Sequence, residues 1–414
     1  MRTPVHKFVE RAKWSYRKNA PDFHGIFFRK YPDFVLSRRP DLAKDSFPVF
    51  VFHQVTPEAF EEQLLFLAQN HYVTLNADEY AARLLGEEKG TGREILLTFD
   101  DGSVSLWSVA FPLLQKFGMK AVSFILPGLI CDSDQTRPTL EDVWEGKIPK
   151  ENLPLEKNSD PPLCTWREIE KMHVSGVIDF QSHTLFHALV PVSNKIVDFL
   201  HPNFDTYYFG NIFVPVYREG ERDLFDRTLP LGTPIYQSEP RMSMVPRFFD
   251  DEELRKKCQQ FVKEEGGIEF FQKKNWRKRL ETFFQSTARH LLLKERMETP
   301  EEQKQAMFYE LHQSKILIEQ RLGKTVSHLC YPWFIGSSVA VEQSKKAGYR
   351  TNFWGWIPGI RDNKAGQNPY QIVRLEDRFL FRLPGEGRKK LSELLLQKIN
   401  TYGVPKSMKE KRPE

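Results

Sequence analysis

Short runs rich in β-branched and aromatic residues recur along the chain, near 48–54 (PVFVFHQ), 94–99 (EILLTF), 119–126 (MKAVSFIL), 177–183 (VIDFQSH), 326–331 (VSHLCY), 349–354 (YRTNFW) and 371–375 (QIVRL). Each ends in polar residues or turn formers, as strands do. Between them, segments 57–70, 78–85, 103–117, 165–175, 301–322, 338–347 and 389–400 place apolar residues at helical spacing, several behind Thr, Asp or Ser in the N-cap position. This alternation predicts a parallel sheet, closed or nearly closed, with chemistry at the carboxyl ends of its strands.

The alternation breaks twice. Residues 128–164 are rich in Pro, Asp and Glu without a clear period and read as a long loop. Residues 196–300 are an excursion with an aromatic, proline-rich first half and a charged helical second half. Its length exceeds that of an ordinary connection, so it is expected to form a subdomain or lid.

Composition narrows the classes. With 414 residues, 40% apolar and 28% charged, the chain can build a packed core. A net charge of +5, from 60 basic and 55 acidic residues, is too small to suggest nucleic acid as a partner. The four cysteines form no CxxC pair, which fits free thiols in a reducing compartment. No uncharged apolar stretch reaches a membrane span and the first residues lack a secretory apolar core, so the expected location is the cytoplasm. Residues 1–40 hold ten Lys/Arg against three Asp/Glu, interleaved with aromatics, which suits a basic arm with peripheral membrane contact.

Two stretches carry candidate chemistry. Ile95 to Gly102 (ILLTFDDG) is an apolar strand ending in two adjacent carboxylates, Asp100 and Asp101. Such a pair repels itself and calls for a cation. Phe180 to His187 (FQSHTLFH) ends another strand with His183 and His187 four positions apart. If the chain turns into a helix there, both rings can face one point. Two imidazoles and one carboxylate leave a divalent ion open positions for water and substrate.

These residues resemble the polysaccharide deacetylases, carbohydrate esterase family four of the NodB-like type. Thr98-Phe99-Asp100-Asp101-Gly102 is similar to the family's first motif and His183-Thr184-Leu185-Phe186-His187 to its second. The match extends in family order through Phe52-His53-Gln54-Val55, Thr165-Trp166-Arg167-Glu168-Ile169, Tyr331-Pro332 and Ala347-Gly348-Tyr349. The resemblance implies a distorted (β/α) barrel of about seven parallel strands with a large, mainly helical insertion. The divisions are then a basic arm over 1–45, barrel over 46–195, insertion over 196–304, barrel over 305–400 and a polar tail over 401–414. It also implies a hydrolase that removes N-acetyl groups from an N-acetylated sugar or polysaccharide, in carbohydrate metabolism or envelope or exopolysaccharide biosynthesis. Asp101, His183 and His187 would bind a divalent ion, most often zinc, and Asp100 would be the general base toward a water on it. A backbone N–H near Tyr331 would help to stabilise the oxyanion.

The sequence departs from the common pattern in two places. That pattern draws its general acid from a histidine near the carboxyl end, whereas the last histidine here is His328. A permuted subgroup, similar to poly-N-acetylglucosamine deacetylases, has a histidine on its first strand, and His53 matches that position. The arginine expected before Tyr331-Pro332 is also missing, and Arg374 is a candidate to replace it beside Asp100. Trp333, with Trp354 and Trp356, is a candidate sugar-stacking wall, and Pro332 is a candidate substrate or orienting residue, while His312 and His328 read as structural. A cytoplasmic enzyme would meet a nucleotide-linked or lipid-linked sugar. Two rival readings are a carbohydrate O-acetyl esterase with the same site and a non-catalytic glycan-binding barrel.

Overall fold

The computed structural model describes residues 24–38, 41–202, 204 and 230–402. Most of the expected basic arm, the greater part of the aromatic half of the excursion and the end of the tail therefore lie outside the described residues.

Twelve strands occur among these residues: β1 (Val49–Phe52), β2 (Val73–Thr74), β3 (Glu94–Asp101), β4 (Ala121–Ile125), β5 (Ile178–Ser182), β6 (Leu189–Phe199), β7 (Pro234–Pro240), β8 (Phe248–Phe249), β9 (Arg296–Met297), β10 (His328–Cys330), β11 (Thr351–Phe353) and β12 (Leu375–Glu376). The main sheet runs β11-β10-β5-β4-β3-β1-β12, all parallel, with β2 added beside the start of β3. These seven strands fall within or against the seven runs expected from the hydrophobic pattern, and the seven expected helical segments are helical too.

The sheet curls until its ends meet. Ile372 N–H donates to Asn352 O, Trp354 N–H to Ile372 O and Arg374 N–H to Gly355 O, while Leu375 pairs with Phe50. One short segment thus bonds to β11 with its first residues and to β1 with its last, sewing the barrel shut.

Period-two alternation sorts the side chains. Leu96, Val122, Phe124, Cys330, Phe353 and Ile372 pack together inside the barrel, while Ile95, Leu97, Phe99, Phe180, Leu329 and Tyr331 pack outward into the core shared with the helices. Burial on both faces explains why the strands read as continuous apolar runs. The surrounding helices start where the sequence supplies caps: Asn76 with Glu79, Thr165 with Glu168 and Thr299 with Glu302 each form a reciprocal capping box.

Two expectations need correction. Residues 128–164 are not structureless: Leu140–Trp144 is a helical turn capped by Thr139, and Lys150–Asn152 and Glu156–Asn158 are 3₁₀ turns. Their brevity leaves no period to read in the sequence. The excursion leaves the barrel at Leu189, where β6 begins an antiparallel ladder with β7, and β8 pairs with β9. Helices Glu252–Glu264 and Trp276–His290 close over a separate small core of Phe199, Cys258, Val262, Phe270 and Leu280.

Candidate active site

The same alternation that builds the barrel loads its mouth. Thr98 and Asp100 continue the inward set of β3, His183 continues that of β5, and Arg374 follows Ile372 inward at the seam. His53 follows Phe52 at the end of β1.

Asp100 is almost fully buried and its carboxylate is gripped at both oxygens by Arg374, Nη1 to Oδ1 at 2.6 Å and Nη2 to Oδ2 at 2.8 Å. Burial would push the Asp100 carboxyl up, but the fully buried Arg374 guanidinium, with lesser help from the neighbouring imidazoles, outweighs it and holds the group well below the usual carboxylate range. Arg374 is held in turn by Trp354 O, which accepts from Nε at 3.1 Å. His53 Nε2 lies 3.9 Å from Asp100 Oδ2, and its half-exposed ring meets Phe334 edge-on at 5.8 Å.

Asp101 has the opposite surroundings. Strand alternation would aim adjacent residues to opposite faces, but Asp101 has φ +70° and ends the strand. Gly102 follows with φ +75°, where a Cβ would come within 3.0 Å of Ile125 Cγ2. The bend brings Asp101 Oδ1 to 3.6 Å from His183 Nε2 and 3.7 Å from His187 Nε2. That oxygen is buried and accepts no hydrogen bond. Burial, then repulsion from Asp100, pushes the Asp101 carboxyl up to about 8.

His183 and His187 do not reach this point from a helix, as their spacing suggested. The chain from 183 to 187 is a tight turn with left-handed φ at Thr184 (+67°) and at His187 (+59°). His183 Nδ1 lies 2.9 Å from Cys330 O, so it donates there and leaves the Nε2 lone pair toward Asp101. Burial draws the His183 imidazole down to about 4 against the pull of Asp100; burial and then His183 draw His187 well below its usual value. Both rings are therefore neutral.

Neighbours outside the motifs hold this turn, and the sequence reading missed them. Glu310 accepts from Leu185 N–H at 3.2 Å, and Ser314 Oγ lies 2.7 Å from Ser182 Oγ. Ser182 and Thr184 hydroxyls accept from the N–H groups of Thr184 and His187. Glu310 and Ser314 sit on the helix Pro300–Leu322 within its buried stripe of Ala306, Met307, Leu311 and Ile318. Two polar residues in an apolar stripe were the available signal.

The donor set fits a divalent cation. Asp101 Oδ1 faces both imidazole Nε2 atoms without a hydrogen bond to either, and its 3.6 and 3.7 Å separations from them approach the roughly 3.3 Å expected of ligands with ~2.0 Å bonds at a tetrahedral centre; a cation there would also ionise the carboxyl that burial and Asp100 otherwise push up. Asp100, His183 and Cys330 also converge within 4.8 Å. That set is poorer, because Arg374 already occupies both Asp100 oxygens and burial pushes the Cys330 thiol far up, against the thiolate a metal needs.

Three further expectations change. Tyr331 points into the helix-side core, its hydroxyl receives a hydrogen bond from Asn352 at 2.6 Å, and its N–H donates to Phe353 O, so its own amide is not an oxyanion donor. Pro332 is buried. The three tryptophans do not form one wall: Trp333, at φ +58°, packs on His187 at 4.8 Å, Trp354 packs on Tyr331, and Trp356 is covered by Lys30. His328 is tied to Thr351 and Asp78, and His312 stacks on Phe308.

Residues 87–200 match the polysaccharide deacetylase family. YxkH of Bacillus subtilis (strain 168), whose name carries the same family term, is 31% identical over 87 residues; the match covers 19% of this chain and 31% of the relative, so under a third of that protein is spanned. Among solved structures, a de-N-acetylase from Aggregatibacter actinomycetemcomitans aligns with a TM-score of 0.48 at 15% identity, over 80% of this chain and 96% of the other. The BpsB deacetylase domain from Bordetella bronchiseptica aligns at 0.48 with 16% identity, over 81% and 98%. IcaB from Ammonifex degensii aligns at 0.44 with 15% identity, over 87% and 99%.

Proposed function

We propose that the protein is a metal-dependent hydrolase that removes N-acetyl groups from an N-acetylated sugar or polysaccharide. The reading rests on one observation above others: a buried, hydrogen-bond-free Asp101 oxygen facing two neutral imidazoles, beside a second carboxylate held ionised by Arg374. Asp101, His183 and His187 would hold the ion, zinc by its donor set. Bound there, a divalent ion supplies Lewis acidity toward the acetamide carbonyl and toward water.

The side chains supply the rest. Asp100 takes the proton of the attacking water; Arg374 keeps it ionised and fixes its plane, leaving it a weak base suited to an already acidified water. His53, on the solvent side of Asp100, gives a proton to the departing amine nitrogen. Trp333 against His187 offers an aromatic face to the sugar ring.

Acetate release from N-acetylhexosamine oligomers and from O-acetylated sugars tests this directly. Turnover of the N-acetyl substrates should disappear on chelation, return on reloading, and fall about 10³- to 10⁴-fold in Asp100→Asn with bound metal retained. Undiminished turnover after chelation would remove the mechanism. Alcohol rather than amine release would make the protein an esterase, and glycan binding without turnover would make it a non-catalytic barrel.

A further inference from the structure

The barrel mouth is flanked by large apolar side chains that stay more than a third exposed among the described residues. Phe334 and Ile335 follow β10, and Trp356 follows β11, so all three stand at the carboxyl ends of strands. They are 38%, 41% and 48% exposed. Phe334 lies against the backbone at Gly355, where an added Cβ would come within 2.5 Å of its Cβ, joining it to Trp356. On one side the strip continues through Lys30, whose Nζ lies 4.1 Å over the Trp356 ring, to Phe27 and Phe28 on a helical turn over 24–27 and the residues after it. Those two rings contact each other at 5.1 Å and are 81% and 56% exposed. Tyr31, against Phe379 just beyond β12, fastens this segment to the same end of the barrel. On the other side Ser338 Oγ reaches Met244 Sδ, and Met244 is 62% exposed.

Exposed apolar residues scattered singly need no explanation, but a strip linked by contacts along one rim does. The strip also has the composition of an interfacial foot: Phe, Trp, Ile and Met beside Arg29 and Lys30, in a first forty residues with ten basic and three acidic side chains. Aromatic rings favour the headgroup level of a bilayer, and basic residues favour its anionic lipids. Among the described residues no helix is long and apolar enough to cross a membrane, so contact through this rim would be peripheral.

We propose that Phe27, Phe28, Trp356, Phe334, Ile335 and Met244 dock the barrel mouth onto an anionic membrane surface. Docking this way would turn the mouth, and His53 beside Phe334, toward the lipid headgroups.

Vesicle flotation with the full chain tests the surface without any reference to catalysis. The protein should float with vesicles of phosphatidylglycerol and phosphatidylcholine, much less with phosphatidylcholine alone, and less at high salt. Phe27→Ser/Phe28→Ser should lower the vesicle-bound fraction about tenfold or more, as loss of two interfacial aromatics predicts, and Trp356→Ser should lower it by less. Unchanged thermal unfolding of the variants shows that they fold, and Arg29→Glu/Lys30→Glu should lower binding without removing an apolar group. Equal flotation of wild type and the double phenylalanine variant, or no flotation with anionic vesicles, would overturn the proposal. So would a dimer in vesicle-free solution that the double variant dissociates, since the strip would then be an interface between two copies.

Discussion

Among the described residues, two fully buried arginine–carboxylate pairs have nearly the same geometry, one in the barrel and one in the excursion, and they do different work. Arg241 meets Glu298 through Nη1 at 2.9 Å and Nη2 at 2.5 Å, with both side chains fully buried. Arg241 follows β7 and Glu298 follows β9, so the pair clamps the base of the excursion just before the helix Pro300–Leu322 returns the chain to the barrel. Arg247 N–H donates to the same carboxylate at 3.0 Å. Around Arg374 and Asp100 the setting is reversed. His53 and His183 approach Asp100 at 3.9 and 3.8 Å, and the next residue along the chain carries a buried oxygen without a hydrogen bond. The excursion's pair faces its own segment, whereas the barrel's pair faces a space that needs a ligand. Ion-pair geometry alone does not separate a structural clamp from an active-site device; the convergence of two imidazoles and a second carboxylate around Asp100 does.

The largest expected effect tests the structural half of this contrast. Arg241→Met should cost roughly 3–5 kcal/mol of stability in denaturant unfolding, because it strands a buried carboxylate. The companion change Arg241→Met/Glu298→Leu should restore most of it, since both charges then leave the interior. In both proteins kcat of the folded fraction should stay near wild type. A fall in kcat alone would mean that the excursion's pair belongs to the site.

The converse substitution is Arg374→Lys. It keeps the charge but loses the two-pronged grip and the planar fit to Asp100. Acetate release should drop about 10²-fold in kcat with KM little changed and with metal retained. A loss confined to thermal stability would place Arg374 in the same class as Arg241.

How far the sequence exposed all this depends on which residues share the strand period. His183 was legible because it stands at the end of its strand four positions before a second histidine, and Asp100 and Arg374 because each continues an apolar inward series set by residues such as Leu96 and Ile372. Tyr331 misled for the same reason: it belongs to the outward set with Leu329, and its place beside Pro332 in a familiar motif masked that parity. The turn at 183–187 was illegible, because its left-handed residues are Thr and His, which carry no turn signal as glycine does. Its supports, Glu310 and Ser314, stand more than 120 residues away, and only their position in an apolar stripe could have betrayed them.

His53 gives the next smaller effect. It is half-exposed and lies 3.9 Å from Asp100, beyond hydrogen-bond distance, so its role lies in proton delivery rather than in holding the site together. His53→Asn should reduce N-deacetylation roughly 10²-fold while metal content and thermal stability remain near wild type. Loss is expected to shrink for substrates whose leaving amine is less basic, because such amines depend less on a donated proton. An equal loss for all leaving groups would reassign His53 to substrate binding.

The smallest effect concerns Glu310, which connects the helix returning from the excursion to the histidine turn of the barrel. Its carboxylate accepts from Leu185 N–H, midway between His183 and His187, in a backbone that two left-handed non-glycine residues make costly. Glu310→Gln keeps an acceptor oxygen but weakens the bond by removing its charge. The turn should then hold His187 less well, since its N–H is tied to Thr184 Oγ within the same loop. Metal affinity, read by competition with a coloured chelator, should fall about tenfold, as is usual when a group that orients ligands is lost. At saturating metal, kcat should recover to near the wild-type value, because nothing in contact with substrate has changed. A kcat that stays low at saturating metal would instead put Glu310 among the groups that act on the reaction itself, and the helix Pro300–Leu322 would then be part of the chemistry rather than its brace.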